Sequence, residues 1–348
     1  MTPSPVRRVL GLAGAAAGVA AASTAAGRLA RRKIEPSDLE GEPALGSVRG
    51  QRRTVVASDG LELHAEVDEP ATPKPKTAPT IVFVHGFALT LDSWHFQRLF
   101  LRGEHRLVFY DHRSHGRSSR SRPEHCTIDK LGEDLERVLE DLVPAGPVVL
   151  VGHSMGGMTI LARAHRHPEW FGQRVVGVGL VSTCADGMGD VTFGMPRRVA
   201  RVLNETSPSL LTVLAHAPRL FERGRRMGSR YAFAMTRRLG FGTPVPDEYV
   251  AFADSMLSST PVDVIAHFYP EFARLDKAHV LVAEGWPTTT IICGEKDLLT
   301  PVKLSRRMAQ VVPYARLVEV PEAGHLVMLE CSDAVNDELA LLLKTVQA

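Results

Sequence analysis

The stretch Val148-Val149-Leu150-Val151-Gly152-His153-Ser154-Met155-Gly156 decides the fold of this chain. Its first four residues are apolar and predict a buried strand, and the stretch from Met158 to His165 is typical of a helix. The G-x-S-x-G pattern between them is typical of a sharp strand-to-helix turn that exposes a serine hydroxyl. The flanking glycines leave room for strained backbone and close helix packing. Ser154 is therefore the candidate nucleophile.

Strands and helices alternate on both sides of this turn. Asp59-Gly60 is a turn signal between 53–57 and 61–67, and these two runs predict a β-hairpin. A continuous apolar run predicts a buried parallel strand at 81–84, 107–110 is the next buried strand, and further strands are predicted at 148–151, 175–181, 289–293 and 316–320. Helical spacing predicts helices at 94–101, 128–143, 302–311 and 332–346. This order indicates an α/β fold with a doubly wound, mostly parallel sheet.

The alternation stops in one long stretch, which predicts a helical cap inserted into the sheet domain. The expected organisation has an N-terminal hydrophobic or targeting segment with its linker, a first part of the core, the cap, and a second part of the core. Their expected ranges are 1–46, 47–185, 186–285 and 286–348.

The cap sequence is unusually basic in its first half. Between Arg197 and Arg238 there are ten arginines against two acidic residues. On a helix, Met227, Tyr231 and Met235 would share one face, opposite a set of arginines. An ordinary cap helix with its apolar side on the core and a solvated basic face explains this pattern. A lid that rests on an anionic membrane surface, or steers acidic substrates, explains it as well.

Bulk composition excludes several classes of function. Hydrophobic residues make up 44% and charged residues 23% of the 348 residues, as in ordinary soluble domains. The formal net charge of +2 gives no basis for nucleic-acid binding. The four cysteines have neither a C-x-x-C pattern nor metal-ligand spacing, and no glycine-rich phosphate cradle appears, so we expect no metal and no cofactor. A disulfide between Cys184 and Cys293 is kept as an alternative to free thiols, because both residues lie near the ends of predicted strands.

The N-terminus carries a separate signal. Residues 9–26 form an uncharged run of 18 residues, of which twelve are Ala or Gly, with arginines on both flanks. Eighteen residues are close to the shortest membrane-spanning helix. The arginine pair ahead of the run also resembles an export signal, with small residues at 22–26 as a cleavage site. We expect membrane association or export through this segment, and a cytoplasmic location otherwise.

Further motifs occur in a fixed order along the chain. They are His85-Gly86-Phe87, Asp111-His112-Arg113-Ser114-His115-Gly116-Arg117-Ser118, the turn at Ser154, Gly294-Glu295-Lys296-Asp297 with Pro301, and Gly324-His325. From about residue 50 to the C-terminus, apart from the cap, the chain resembles the α/β-hydrolase fold family. The resemblance implies a serine hydrolase whose triad follows the order Ser, Asp, His. It also implies that 111–118 is scaffolding and that His85 has a structural role.

A base must take the proton of Ser154, and histidine has a pKa close to working pH. Among fourteen histidines, His325 follows the last predicted strand. Loops that follow parallel strands meet at one edge of the sheet, so we expect His325 to reach Ser154. His153 lies inside the turn, and we expect its side chain to point away from the reactive face of the serine.

An acid should orient the histidine and stabilise its cation. Asp297 follows the strand at 289–293 and is the expected acid, with Asp186, just after the strand that ends at Val181, as its rival. Negative charge on the tetrahedral intermediate needs fixed donors. The expected oxyanion hole is formed by the backbone N–H groups of Phe87 and Met155.

These residues predict a cofactor-free hydrolase that cleaves esters with a small or medium hydrophobic acyl group through an acyl-enzyme on Ser154. A serine nucleophile argues against haloalkane dehalogenases and epoxide hydrolases, which use an aspartate. A thioesterase, an amidase, an acyltransferase and a haloperoxidase-like perhydrolase stay open, because all share the triad. A ligand-binding receptor that retains the fold without turnover, or a tethered interaction protein, also stays open.

Overall fold

An eight-stranded sheet forms the centre of the molecule. The computed structural model describes residues 43–191, 229–312 and 314–347. The strands are β1 (Gln51–Val56), β2 (Glu62–Asp68), β3 (Thr80–Val84), β4 (Leu107–Tyr110), β5 (Val148–His153), β6 (Val175–Val181), β7 (Thr288–Gly294) and β8 (Arg316–Val320). They lie in the order β1-β2-β4-β3-β5-β6-β7-β8. The β1–β2 and β2–β4 pairs are antiparallel and the other pairs are parallel. The predicted α/β fold with its mostly parallel sheet is confirmed.

Helices follow most of the parallel strands. The α-helices are α1 (His95–Leu101), α2 (Ile128–Leu142), α3 (Met155–Arg166), α4 (Ser229–Gly240), α5 (Asp247–Ser259), α6 (Val262–Ala273), α7 (Val302–Val311), α8 (Val327–Glu330) and α9 (Ser332–Gln347). The 3₁₀ turns are Leu91–Trp94, Pro123–His125, Pro168–Trp170, Met188–Asp190 and Ala278–Val282. The helix expected from residue 94 is preceded by such a turn, which the Thr90 hydroxyl caps by accepting the Asp92 N–H.

Both faces of the sheet are buried along the central strands β3, β4, β5 and β6, which is why these strands consist mainly of apolar residues. Alternate residues of β3 point in opposite directions, so that Val82 and Val84 join one core and Ile81 and Phe83 join the other. Helices α2, α3 and α7 cover the first face, while α1 and α9 cover the second. Because these strands are parallel, the loops after β3, β5, β7 and β8 lie at one edge of the sheet.

The hairpin at the start of the domain matches its prediction. β1 and β2 pair from Gln51 opposite Val67 to Val56 opposite Glu62. Gly60, in the turn between them, has a φ of +83°, a conformation that glycine adopts without steric cost. The Asp-Gly signal therefore predicted both the turn and the pairing of its strands.

The segment between β6 and β7 contains α4, α5 and α6, and we call residues 186–285 the insertion. Residues 192–228, with most of the basic stretch, lie outside the described residues. In α4 the Thr236 side chain is buried and its hydroxyl donates to Asp254 on α5 at 2.9 Å, whereas Tyr231 is 48% exposed. Of the apolar face that the ordinary cap-helix interpretation turns toward the core, Tyr231 is therefore exposed, and α4 is buried on the side of Thr236.

Two further expectations concern the cysteines and the N-terminus. All four cysteines are free thiols, so the open disulfide alternative at Cys184 and Cys293 is wrong. Residues 9–26 lie outside the described residues. Within the described ranges, no helix combines the length and the apolar character needed to cross a membrane.

Candidate active site

Ser154 lies on a strained turn between β5 and α3. Its backbone has φ 51° and ψ −117°, an unusual conformation for a residue with a side chain. Two contacts hold it there: the Ser154 N–H donates to the Val181 carbonyl at 2.9 Å, and the Thr183 hydroxyl donates to the Ser154 carbonyl at 2.6 Å. Ser154 is partly exposed, whereas His153 and Met155 beside it are buried. The turn therefore presents the serine hydroxyl outward.

Close contacts explain Gly156 at this turn and Gly86 in the neighbouring loop after β3. A Cβ at Gly156 would lie 2.0 Å from the Val84 carbonyl oxygen, so α3 can pack on β3 only without a side chain there. A Cβ at Gly86 would lie 3.3 Å from the Cβ of Ser154. The loop that carries Phe87 therefore lies directly against the nucleophile turn.

The two expected oxyanion donors lie beside Ser154. The Met155 N–H is at the start of α3, where the first amides of a helix lack partners within the helix. Within residues 43–191, 229–312 and 314–347, neither the Met155 N–H nor the Phe87 N–H donates to another protein group. The Phe87 ring packs against Phe272 of α6, with ring centroids 5.1 Å apart.

The structure brings His325 and Asp297 together. The His325 Nδ1–H donates to Asp297 Oδ2 at 2.9 Å, and both side chains are buried. Asp297 also accepts the N–H groups of Leu299 and Thr300 through Oδ1 and the Thr300 hydroxyl through Oδ2, all at 2.8 Å. These donors fix the carboxylate in one orientation. Since Nδ1 carries the proton, Nε2 is the basic nitrogen of His325.

The rival acid lies elsewhere. Asp186 pairs with Arg307 at 2.9 Å, and Arg307 is on the exposed side of α7. No hydrogen bond joins Asp186 to His325 in the described part of the chain. Of the two aspartates, Asp297 alone contacts the histidine.

His153 connects the nucleophile turn to the histidine loop. Its Nε2–H donates to the His325 carbonyl at 3.0 Å, and the two ring centroids are 4.8 Å apart. Burial, with a smaller contribution from His325, holds the pKa of His153 well below its usual value. The ring is therefore neutral, and its proton is on Nε2 because a carbonyl only accepts.

A second group of histidines is buried under the Phe87 loop. His85 donates through Nδ1 to the Gly86 carbonyl at 2.7 Å and accepts the His112 N–H at 3.0 Å. His112 returns a bond from Nε2 to the His85 carbonyl at 3.0 Å. Burial lowers the pKa of His112 to about 3 and that of His115 to about 4. These neutral rings brace the loop that carries Phe87.

Asp111 is buried beside these histidines. Its carboxylate accepts the N–H groups of Leu91 and Arg117 at 2.8 and 2.9 Å. Burial nevertheless raises the pKa of Asp111 to about 6. The 111–118 motif thus contacts the scaffold through buried polar groups. The described residues contain no group of three or more His, Cys, Asp or Glu side chains placed to hold a metal ion.

Two residues of this region were missed by the sequence reasoning. Thr300 bonds Asp297, and Glu330 accepts the N–H of Gly324, directly before His325, at 2.7 Å. Thr300 follows Asp297 by three residues, a spacing that allows a side-chain contact within one turn. For Glu330, a lone acidic residue after the apolar run 326–329 was the available signal.

A serine on a strand-to-helix turn, with a His–Asp pair at the same edge of a mostly parallel sheet, is typical of α/β hydrolases. The family model described as alpha/beta hydrolase fold matches residues 79–331. The chain belongs to the α/β-hydrolase family.

Similar proteins include several hydrolases. A bifunctional esterase/perhydrolase of Acinetobacter calcoaceticus is 26% identical over 275 residues, with 78% of this chain and 94% of that protein covered. A thermophilic esterase from Thermogutta terrifontis superposes with a TM-score of 0.66 at 25% identity, with 86% of this chain and all of that chain covered.

A further relative is larger than the matched region. The dihydrolipoyllysine-residue acetyltransferase component of the acetoin cleaving system of Pseudomonas putida is 27% identical over 267 residues. The match covers 76% of this chain and 63% of that protein, so it spans less than two thirds of the relative's length.

Proposed function

We propose that this α/β hydrolase is a cofactor-free serine esterase that acts through an acyl-enzyme on Ser154. The observation that carries the proposal is the buried 2.9 Å bond from His325 to Asp297, beside the turn that exposes Ser154. An acid that holds a histidine in one tautomer leaves its other nitrogen free to accept a proton. The esterase names of the relatives support the same chemistry.

The reaction follows from the roles of these groups. The Ser154 hydroxyl attacks the ester carbonyl while His325 Nε2 takes its proton, and Asp297 stabilises the resulting imidazolium. The N–H groups of Phe87 and Met155 receive the negative charge of the tetrahedral oxygen. His325 then returns the proton to the leaving alcohol. Water, deprotonated by the same nitrogen, hydrolyses the acyl-enzyme and regenerates the Ser154 hydroxyl.

An apolar surface beside the oxyanion donors supports a hydrophobic acyl group of small or medium size. Met155 packs in one cluster with Val264 and Phe268 of α6, and Phe87 lies at the edge of that cluster. The Phe87 and Phe268 rings are 6.2 Å apart between centroids. Because α6 lies this close to Phe87, short and medium chains are expected to react faster than long ones.

A fluorophosphonate probe and a series of p-nitrophenyl esters test the proposal. The wild type should be labelled, the Ser154→Ala variant should not, and hydrolysis should be fastest for short or medium acyl chains. Ser182→Ala is the matched control: this buried serine follows the neighbouring strand β6, and its variant should still be labelled. A folded wild type that neither labels nor cleaves any ester would instead indicate a ligand-binding role.

A second candidate is perhydrolysis, in which hydrogen peroxide rather than water resolves the acyl-enzyme. The bifunctional name of the Acinetobacter relative favours it. Acetate and hydrogen peroxide should then yield a peracid in the wild type and none in Ser154→Ala. Ester cleavage without peracid formation would exclude perhydrolysis and retain esterase activity as the proposed function.

We also propose that residues 9–26 attach the enzyme to a membrane or direct its export. The support is the uncharged 18-residue run between arginines. The full chain and a variant lacking residues 1–33 should be compared for binding to anionic liposomes at two salt concentrations. Binding lost with the deletion supports attachment. Cleavage of the segment on secretion supports export. If the deletion leaves liposome binding unchanged and the segment is not cleaved, the proposal is overturned.

A further inference from the structure

The carboxylate of Glu330 joins two distant parts of the chain. Glu330 ends the short helix α8 and is half-buried. Its Oε2 accepts the Gly324 N–H at 2.7 Å, in the loop before His325. Its Oε1 accepts the Thr243 N–H and the Thr243 hydroxyl, both at 2.6 Å, and the Gly242 N–H at 3.0 Å. One carboxylate thus bonds the histidine loop and the insertion at the same time.

The two segments also touch through their backbones. The Leu326 N–H donates to the Gly240 carbonyl, at the end of α4, at 2.7 Å. A Cβ at Gly324 would lie 2.6 Å from the Gly242 nitrogen. A Cβ at Gly242 would lie 2.0 Å from the Glu322 carbonyl oxygen. At Gly242 and Gly324 the backbones of the two segments are in direct contact, so we expect a shift of one segment to shift the other.

The chemistry of the contact requires a carboxylate. Every group around Glu330 at this contact is a donor: three backbone N–H groups and one hydroxyl. An ionised carboxylate only accepts and has two oxygens for these bonds. The isosteric amide of glutamine would direct its own N–H groups at some of these donors. A Glu330→Gln substitution therefore breaks the contact while the side chain keeps its size.

We propose that Glu330 is a positioning residue that couples the insertion to the catalytic histidine. Through Gly324 it sets the position of His325, and through Gly242 and Thr243 it makes that position depend on α4. This inference rests on the proposed function, because it takes His325 as the base.

Glu330→Gln should lower kcat for p-nitrophenyl esters by roughly 10-fold to 100-fold, because small displacements of a catalytic group are costly. KM should change much less, since no substrate-binding group is altered. The control is Glu322→Gln, the same substitution in the loop before His325, where the carboxylate is exposed and pairs with Lys296. Its kcat should stay within about twofold of wild type, because exposed ion pairs contribute little.

Hydrogen exchange separates positioning from a general loss of stability. In Glu330→Gln, the amides of residues 240–243 and 324–326 should both exchange faster, while those of β5 and β6 stay protected. Faster exchange at only one of the two segments, or an unchanged kcat, would overturn the coupling. This measurement needs no turnover, so it distinguishes failure of the coupling from failure of the proposed esterase activity.

Thr243→Val provides a test if Glu330→Gln does not fold. It removes one hydroxyl donor from the Glu330 contact and retains the backbone bonds. We expect kcat to fall about threefold, with faster exchange at 324–326, 81 residues away in sequence. Normal exchange at 324–326 together with faster exchange at 240–243 would contradict transmission to His325.

Discussion

The imidazole of His153 donates from Nε2 to the backbone carbonyl of His325 at 3.0 Å, across 172 residues of sequence. His153 is the residue before the candidate nucleophile and His325 is the candidate base. The turn that carries one reacting group therefore directly supports the loop that carries the other. Because this hydrogen bond is buried, water does not compete with His153 for the His325 carbonyl.

His153→Phe should weaken this support. The phenyl ring retains much of the bulk but cannot donate, so the His325 carbonyl loses its partner. We expect the free energy of unfolding to fall by about 1–3 kcal/mol and kcat to fall about tenfold, as His325 shifts from the serine. Urea unfolding and ester kinetics measure both. His165→Phe, at an exposed site on α3, is the control and should change neither. Equal effects in both variants would contradict the prediction.

Asp297→Asn should abolish most of the activity. The asparagine amide would face the donors that now surround the carboxylate, and His325 would lose the acceptor that fixes its tautomer. We expect kcat to fall roughly 10³-fold to 10⁴-fold. Asp186→Asn tests the rival acid and should leave kcat within about twofold, because its exposed pair with Arg307 contributes little. A larger loss in the Asp186 variant would reverse the assignment.

Gly156→Ala should destabilise the fold. The added Cβ would lie 2.0 Å from the Val84 carbonyl, and backbone atoms cannot rotate away as a flexible side chain can. We expect a loss of about 3 kcal/mol in the free energy of unfolding. Gly189→Ala is the control, because among the described residues its Cβ would meet nothing closer than the Ala273 carbonyl at 3.8 Å. Thermal and urea unfolding of both variants measure the difference, and equal stabilities would refute the packing argument.

Stability should fall as the pH drops below about 6.5. The pKa is about 3 for His112 and about 4 for His115, both below the unfolded value of 6.5. The unfolded chain therefore binds more protons than the folded one between these values, and acid favours unfolding. Each of these two histidines should cost roughly 2 kcal/mol of stability by pH 5. His85 and His153, whose pKa is also lowered by burial, add to the loss.

Asp111 acts in the opposite direction. Its folded pKa of about 6 is above the unfolded value of 3.8, so the folded state takes up a proton first on acidification. That gain is roughly 1.4 kcal/mol at pH 5 and only partly offsets the histidines. Urea unfolding at pH 7 and pH 5 measures the sum. His115→Leu should reduce the pH dependence, whereas the exposed His279→Asn should not. Stability that rises toward pH 5 would contradict the burial of neutral histidines.

The sheet and its order along the chain were predictable because their signals are local. Apolar runs of four to seven residues specify the buried strands β4 and β6, and Asp59-Gly60 specifies a hairpin. The candidate acid and base could be placed at one edge because loops after parallel strands converge there. The choice between Asp297 and Asp186 needed the structure, since both follow strands and only a distance separates them.

The sequence by itself determined the fold class, the strained turn at Ser154 and the edge at which the candidate residues meet. Each depends on residues close together in the chain. Tertiary structure decided the partner of His325, the donor role of His153, the two-sided contact of Glu330 and the buried face of α4. Those features join residues far apart in sequence. Their bonds depend on angstrom-scale distances between packed elements, which local patterns do not encode.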